Sequence, residues 1–215
     1  MPHLDPKERS AIPELAPVFA GAEAAMGFLP NSMLTMAHMP QLTMAFSMLA
    51  GVTFGADLRG LMEVYKDNVP ADEFADQALP PMLVQLIAYS VSLSAGCRYC
   101  QAHTSHNAHR AGLAEEKFAE ILSYESSDKF DPAEKALIGV ALAAGQVPNE
   151  VSSEHFDALK EHFTDRQIVQ IVGVISLFGF LNRWNDTMAT NLEEDPVAFA
   201  QRVLSSEGWE VAKHA

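Results

Sequence analysis

Cysteine is nearly absent. The chain of 215 residues holds two, Cys97 and Cys100, so no disulfide framework can staple distant segments, and both thiols fall in a single Cys-x-x-Cys. Basic residues are few. With 14 Lys+Arg against 28 Asp+Glu the formal net charge is −14, which argues against nucleic acid and membrane as partners. Long apolar runs are missing too: the longest, Ile168 to Leu181, falls short of a membrane span and is interrupted by Gln170. The opening Met1-Pro-His-Leu-Asp-Pro has neither the basic start nor the apolar stretch of a secretory signal. A cytoplasmic location is therefore expected, where a structural disulfide is unusual and a Cys-x-x-Cys points to catalysis or metal binding. The nucleotide-binding Gly-x-Gly-x-x-Gly, the phosphate loop and Gly-x-Ser-x-Gly do not occur, and no cofactor is expected. No useful length alternates with period two, so no strand is predicted.

What the chain does have is helical periodicity and a core's worth of apolar residues, 48% of the total. Helices are predicted from Pro13 to Met26, over a short stretch capped by Asn31 or Ser32, and from Pro40 to about Lys66 despite Gly51, Gly55 and Gly60. Met82 to Leu93 follows, with Leu83, Leu86, Ile87 and Ser90 on one face. Further helices are expected at Leu113–Leu122 and from Asp131-Pro-Ala-Glu134, an acidic N-cap with Pro at the first position and Glu three on. The last two run from Thr164-Asp-Arg-Gln167 to about Thr190 and from Pro196 to Leu204. The expected fold is all-α, one multi-helix domain over residues 1–215, with 1–13 and 205–215 as extended arms.

The chemistry concentrates in Ser94-Ala-Gly-Cys-Arg-Tyr-Cys-Gln-Ala-His-Thr-Ser-His-Asn-Ala-His-Arg110. Ala95-Gly96 reads as a turn that ends one helix, so Cys97 and Cys100 fall in the first turn of the next, running to about Gly112. Free backbone N–H groups and the positive end of the helix dipole favour a thiolate there, and one thiol can hydrogen-bond the other's thiolate. His103 is a turn beyond Cys100, placed to relay a proton or carry positive charge beside the sulfur. Cys97, Cys100, His103 and His106 are also zinc-compatible types. A single helix lays them along a stripe rather than around a tetrahedron, so no closed metal site is expected from this segment alone, and a three-ligand site with a remote partner stays open. Asn182-Arg-Trp-Asn-Asp186 puts a polar cluster in an apolar helix, a candidate pocket wall through Arg183 or Asn185.

Gly96-Cys-Arg-Tyr-Cys-Gln-Ala-His-Thr104 after a long apolar helix resembles the alkylhydroperoxidase D and carboxymuconolactone decarboxylase family, in its peroxidase-related branch. Met26 to Met36, Asp131 to Leu137 and Phe178 to Asp186 agree with it, and the family-like core covers about residues 20–190. The resemblance implies an alkylhydroperoxidase D-like helical bundle, assembled as a dimer, trimer or hexamer. It implies thiol-dependent reduction of an organic hydroperoxide: Cys100 attacks, Cys97 resolves to a disulfide, and an external thiol reductant restores the pair. The family's relay Glu falls at Gln85, and its His falls at Thr104, one residue past His103. No Asp or Glu occurs between Gln77 and Ala114 to replace that acid. Catalytic candidates are thus Cys97, Cys100, His103 and Gln85, and substrate-binding candidates Tyr89, His106, Trp184 and Asn185. Two alternatives stay open, a lyase or isomerase acting on a small carboxylated lactone without the cysteines, and a non-catalytic redox-responsive oligomer. The apolar, Gly- and Met-bearing stretch from Pro40 to Lys66 also suggests a homo-oligomer.

Overall fold

A computed structural model describes residues 2–215. The described residues form α-helices and short 3-10 turns with no strand, the all-α class expected. Their contacts group into two compact units: residues up to Ala78 with Asp165–Val169, and Leu79–Thr164 with Gln170–Ala215.

The first unit holds α1 (Ala16–Met26), α2 (Asn31–Met36), α3 (Pro40–Thr53) and α4 (Leu58–Tyr65) around Leu15, Phe19, Met33, Met44 and Tyr65. The helix expected to run from Pro40 to Lys66 is broken in two. Gly55 adopts φ 92°, a left-handed conformation that ends α3 and that other residues avoid. Asp57 then caps the new helix by accepting from the Gly60 N–H at 2.8 Å. Arg166 at the start of α9 (Asp165–Met188) pairs with Asp72, Nη2 to Oδ2 2.5 Å and Nε to Oδ1 3.2 Å, with both side chains buried.

The second unit carries the cysteines. α5 (Pro81–Ser94) packs against both α6 (Arg98–Arg110) and α7 (Pro132–Gly145). α8 (Ser153–Lys160) lies on α7, and α10 (Glu194–Val203) on α6. Leu86, Ile121, Ile138, Phe199 and Trp209 lie in its core. α7 begins as predicted: Asp131 accepts from the Glu134 N–H at 2.8 Å and Glu134 from the Asp131 N–H at 3.1 Å. Glu134 is buried, and Lys117 neutralises it at 2.6 and 2.8 Å. The segment expected as a helix at 113–122 is a 3-10 stretch, Glu115–Ser123, that buries Phe118 and Ile121.

Residues 205–215 are not an extended arm. Trp209 is buried and its indole N–H donates to the Arg98 carbonyl at 3.1 Å; His214 is buried and its carbonyl accepts from the Leu192 N–H at 2.9 Å. An apolar ring with a single donor, which a helix carbonyl can accept on its second lone pair, explains the docking. By length and composition alone α9 could cross a membrane, a measure that core helices also meet. Its buried stripe is Ile168, Ile171, Ile175, Asn182 and Asn185, and the last two are amides.

Candidate active site

Gly96, at φ 75°, closes α5 and turns the chain into α6. Cys97 is the N-cap itself rather than a residue of the first turn, with extended backbone (φ −78°, ψ 103°) and its sulfur accepting from the Cys100 N–H at 3.4 Å. The cap is where unpaired helix N–H groups converge, and a sulfur anion satisfies them. The Cys100 thiol donates to the same sulfur. That bond chiefly holds the Cys97 pKa below the ordinary thiol value, with the backbone N–H groups of Cys100 and Tyr99 adding to it; burial and the charge of Asp186 oppose. Cys100 is driven the other way, first by being the donor, then by burial and by the Cys97 charge, while Asn185 offsets part of this. Cys97 is therefore the more acidic thiol of the pair, and Cys100 the one that keeps its proton. The resemblance implied the reverse assignment, with Cys100 attacking. Both sulfurs are unpaired, and their residues are 1% and 2% exposed.

Asn185, expected to reach substrate, donates from Nδ2 to the Cys100 sulfur at 3.6 Å. His103 is directed elsewhere than expected. Its Nδ1 faces the Tyr99 carbonyl at 3.1 Å and its Nε2 the Glu193 carboxylate at 2.8 Å, so both ring nitrogens are engaged away from sulfur. Tyr99 completes the cluster. Its hydroxyl donates to Glu193 at 3.1 Å and its ring stacks on His103 with centroids 4.2 Å apart. Burial, then Glu193 and the two cysteines, push the phenol pKa up to about 12, so it stays protonated.

The other candidates separate. Gln85 is half-buried, and its Oε1 is enclosed without a hydrogen-bond partner. Tyr89, expected to bind substrate, is a core residue instead, 2% exposed and edge-on to Phe118 at 5.0 Å; burial raises its pKa. His106 packs its ring toward Phe199 at 5.6 Å. Trp184 lies on the outer face of α9, 55% exposed and stacked on Phe180. Among the described residues, no three His, Cys, Asp or Glu side chains converge as a metal-binding set.

Sequence reasoning passed over one residue of this cluster and named Asn182 only as part of the polar run of α9. Glu193 supplies a carboxylate from far along the chain. Asn182 is 4% exposed, and both of its amide atoms lack a hydrogen-bond partner. Each such buried group costs about 1–3 kcal/mol. A signal was present, since Asn182 occupies a position where the stripe of α9 calls for Ile or Leu.

The model of the carboxymuconolactone decarboxylase family matches residues 65–143, which take in α5, α6 and most of α7. The chain is similar to the solved debrominase Bmp8, with 33% identity over 92% of this chain and 96% of that one and a TM-score of 0.56. It is similar also to a cysteine-to-alanine variant of that debrominase in complex with 2,3,4-tribromopyrrole, at 32% identity over 93% and 96% and a TM-score of 0.55. A curated relative is YdfG of Bacillus subtilis, described as uncharacterized, 29% identical over 103 residues that make 47% of this chain and 67% of YdfG. With a third of its residues identical across nearly the whole of a solved relative and the family model lying over the cysteine turn, the chain belongs to the carboxymuconolactone decarboxylase family, whose members include enzymes.

Proposed function

We propose that the protein is a thiol-dependent reductase of a small organic substrate, with an organic hydroperoxide as the first reading. The observation that carries it is the hydrogen-bonded pair, with Cys97 at a helix cap as the acceptor and more acidic thiol and Cys100 as the donor. A thiolate is the nucleophile and a neighbouring thiol both protonates the leaving group and prevents over-oxidation. The Cys97 sulfur attacks the terminal peroxide oxygen and the O–O bond breaks. Cys97 becomes a sulfenic acid, and the leaving alkoxide takes the Cys100 proton and departs as the alcohol. The Cys100 thiolate, stabilised by the Asn185 N–H, then attacks the Cys97 sulfur, forming the disulfide and releasing hydroxide, which is protonated to water. An external dithiol reduces the disulfide. The proton that a carboxylate at position 85 would handle is thus supplied by Cys100, which suits a Gln there.

A second reading is favoured by the similarity to a debrominase. The same sulfur can attack bromine on an electron-rich ring, the ring carbon taking the Cys100 proton, and Cys100 then displaces bromide to give the same disulfide. Both readings place the protein where thiols are kept reduced.

Thiol titration after one equivalent of tert-butyl hydroperoxide, run beside 2,3,4-tribromopyrrole, tests the proposal. Loss of both thiols, restored by dithiothreitol, is expected. Cys97→Ser should abolish the reaction, whereas Cys100→Ser should form one trappable sulfenic acid and stall. If Cys97→Ser still turns over a substrate, the cysteines are not the centre and a lyase activity takes precedence.

A further inference from the structure

Asn182 is the residue of the second unit least explained by folding. Along α9 the buried positions Ile168, Ile171 and Ile175 are apolar. The same stripe then meets Asn182 and Asn185. Asn185 has a purpose, since its N–H bonds the Cys100 sulfur. Asn182 stands one turn before it on the same face, and is 4% exposed with donor and acceptor both unpartnered. Its neighbours Arg183 and Trp184 face outward, and Arg183 is engaged by the Gly179 carbonyl at 2.9 Å. Native cores pair their buried polar groups, and where a sequence breaks that rule the cause is usually functional.

We propose that Asn182 is the specificity contact of the site. Its amide takes a small substrate that offers an N–H or O–H donor to Oδ1 and a lone pair to Nδ2, and so sets the reacting atom beside the thiol pair one turn away. The inference rests on the thiol-reductase reading for its substrate. A hydroperoxide offers both the donor and the lone pair, and a pyrrole offers the N–H donor. A substrate without a donor loses half of the contact. The arrangement is bought with folding stability, since the amide stays unsatisfied until substrate arrives.

The test compares full-length wild type with Asn182→Leu, and with Asn182→Ala should the leucine variant fail to fold. Without substrate, the variant is expected to melt at the same temperature as wild type or higher. Disulfide formation with tert-butyl hydroperoxide should slow about 10- to 100-fold, the loss of one or two hydrogen bonds. Modification by methyl methanethiosulfonate, a small reagent with acceptor oxygens but no N–H or O–H, should slow much less. A lower melting temperature with an unchanged peroxide rate would overturn the proposal, because the amide would then be a structural group. If wild type itself ignores hydroperoxide, the peroxide reading falls, and binding decides Asn182 separately. Wild type should bind 2,3,4-tribromopyrrole more tightly than its N-methyl derivative, and Asn182→Leu should not distinguish them. Equal preference in both proteins, or no binding by wild type, overturns the assignment.

Discussion

At Cys97 two effects of opposite sign meet. Burial disfavours an anion, while the Cys100 thiol and two backbone N–H groups favour it, and the hydrogen bonds prevail. The consequence for pH dependence has a definite sign. A lowered thiol pKa moves the rise of the rate with pH below the ordinary thiol value of about 8.5, so the plateau should already be reached there. The rate should fall only as pH drops through the lowered pKa. Stopped-flow measurement of disulfide formation between pH 5 and 9 checks this, and a rate still rising tenfold per unit above pH 8 would show that Cys97 is not stabilised. The proton partner was not foreseeable in the same way. His103 was legible as a residue one turn from Cys100, but its carboxylate partner Glu193 is distant in sequence, and no local spacing rule reaches that far. Asn182 and Asn185 were visible as polar residues on an apolar helix. Which of them touches sulfur depended on how α9 is rotated, and that is set by packing.

Local rules did well for single elements wherever both halves of a signal lay within four residues. The Asp131 cap with Glu134 is such a case, and so is the Gly96 turn. They failed where an unusual residue plays a standard part. α8 opens with Ser152 and His155, the imidazole Nδ1 accepting from the Ser152 N–H at 3.1 Å where a Glu or Gln would ordinarily serve. They failed also at Gly55, which sequence alone could assign to a close helix contact or to a break. Gly145 is the opposite case, a glycine required by packing. A Cβ there would lie 2.6 Å from the Ser94 Cβ and 3.0 Å from the Val91 carbonyl oxygen, at the crossing of α5 and α7. Ser94 itself bonds across that crossing, its hydroxyl donating to the Leu142 carbonyl at 2.7 Å. Gly145→Ala should therefore overpack the contact by about 1–3 kcal/mol, less up to about 1 kcal/mol of helix propensity regained. Calorimetry should show a melting temperature lower by about 2–4 °C per kcal/mol. An unchanged midpoint would mean that the two helices separate there at no cost.

For the molecule as a whole, the exposed apolar surface is the unexplained quantity. In the second unit α9 presents Leu177, Phe180, Trp184 and Met188 outward at helical spacing. In the first, α3 and α4 expose Phe46, Leu49, Val52, Leu58 and Met62, with Phe54 90% exposed between them. Rows of this kind are uncommon on a lone chain. A homo-oligomer is expected, and light scattering at micromolar concentration should give a multiple of 23.4 kDa; a value at the monomer mass would leave these rows without a role. The sequence placed the apolar excess correctly between Pro40 and Lys66. It did not show the α9 row, because in a helix rich in Ile, Val, Leu and Phe the inner and outer faces read alike until packing selects one.

If the pair cycles as proposed, the near-complete burial of Cys97 and Cys100 would separate the halves of that cycle by molecular size. A compact oxidant would need only a small opening, whereas a bulky reductant would have to wait for a larger one. Oxidation and recovery then run on different clocks: the first is set by collision with a small molecule, the second by how often the protein opens. Such a pair holds its oxidised state for an interval fixed by its own structure, so the time spent as a disulfide becomes a property of the fold as much as of the surrounding thiol pool.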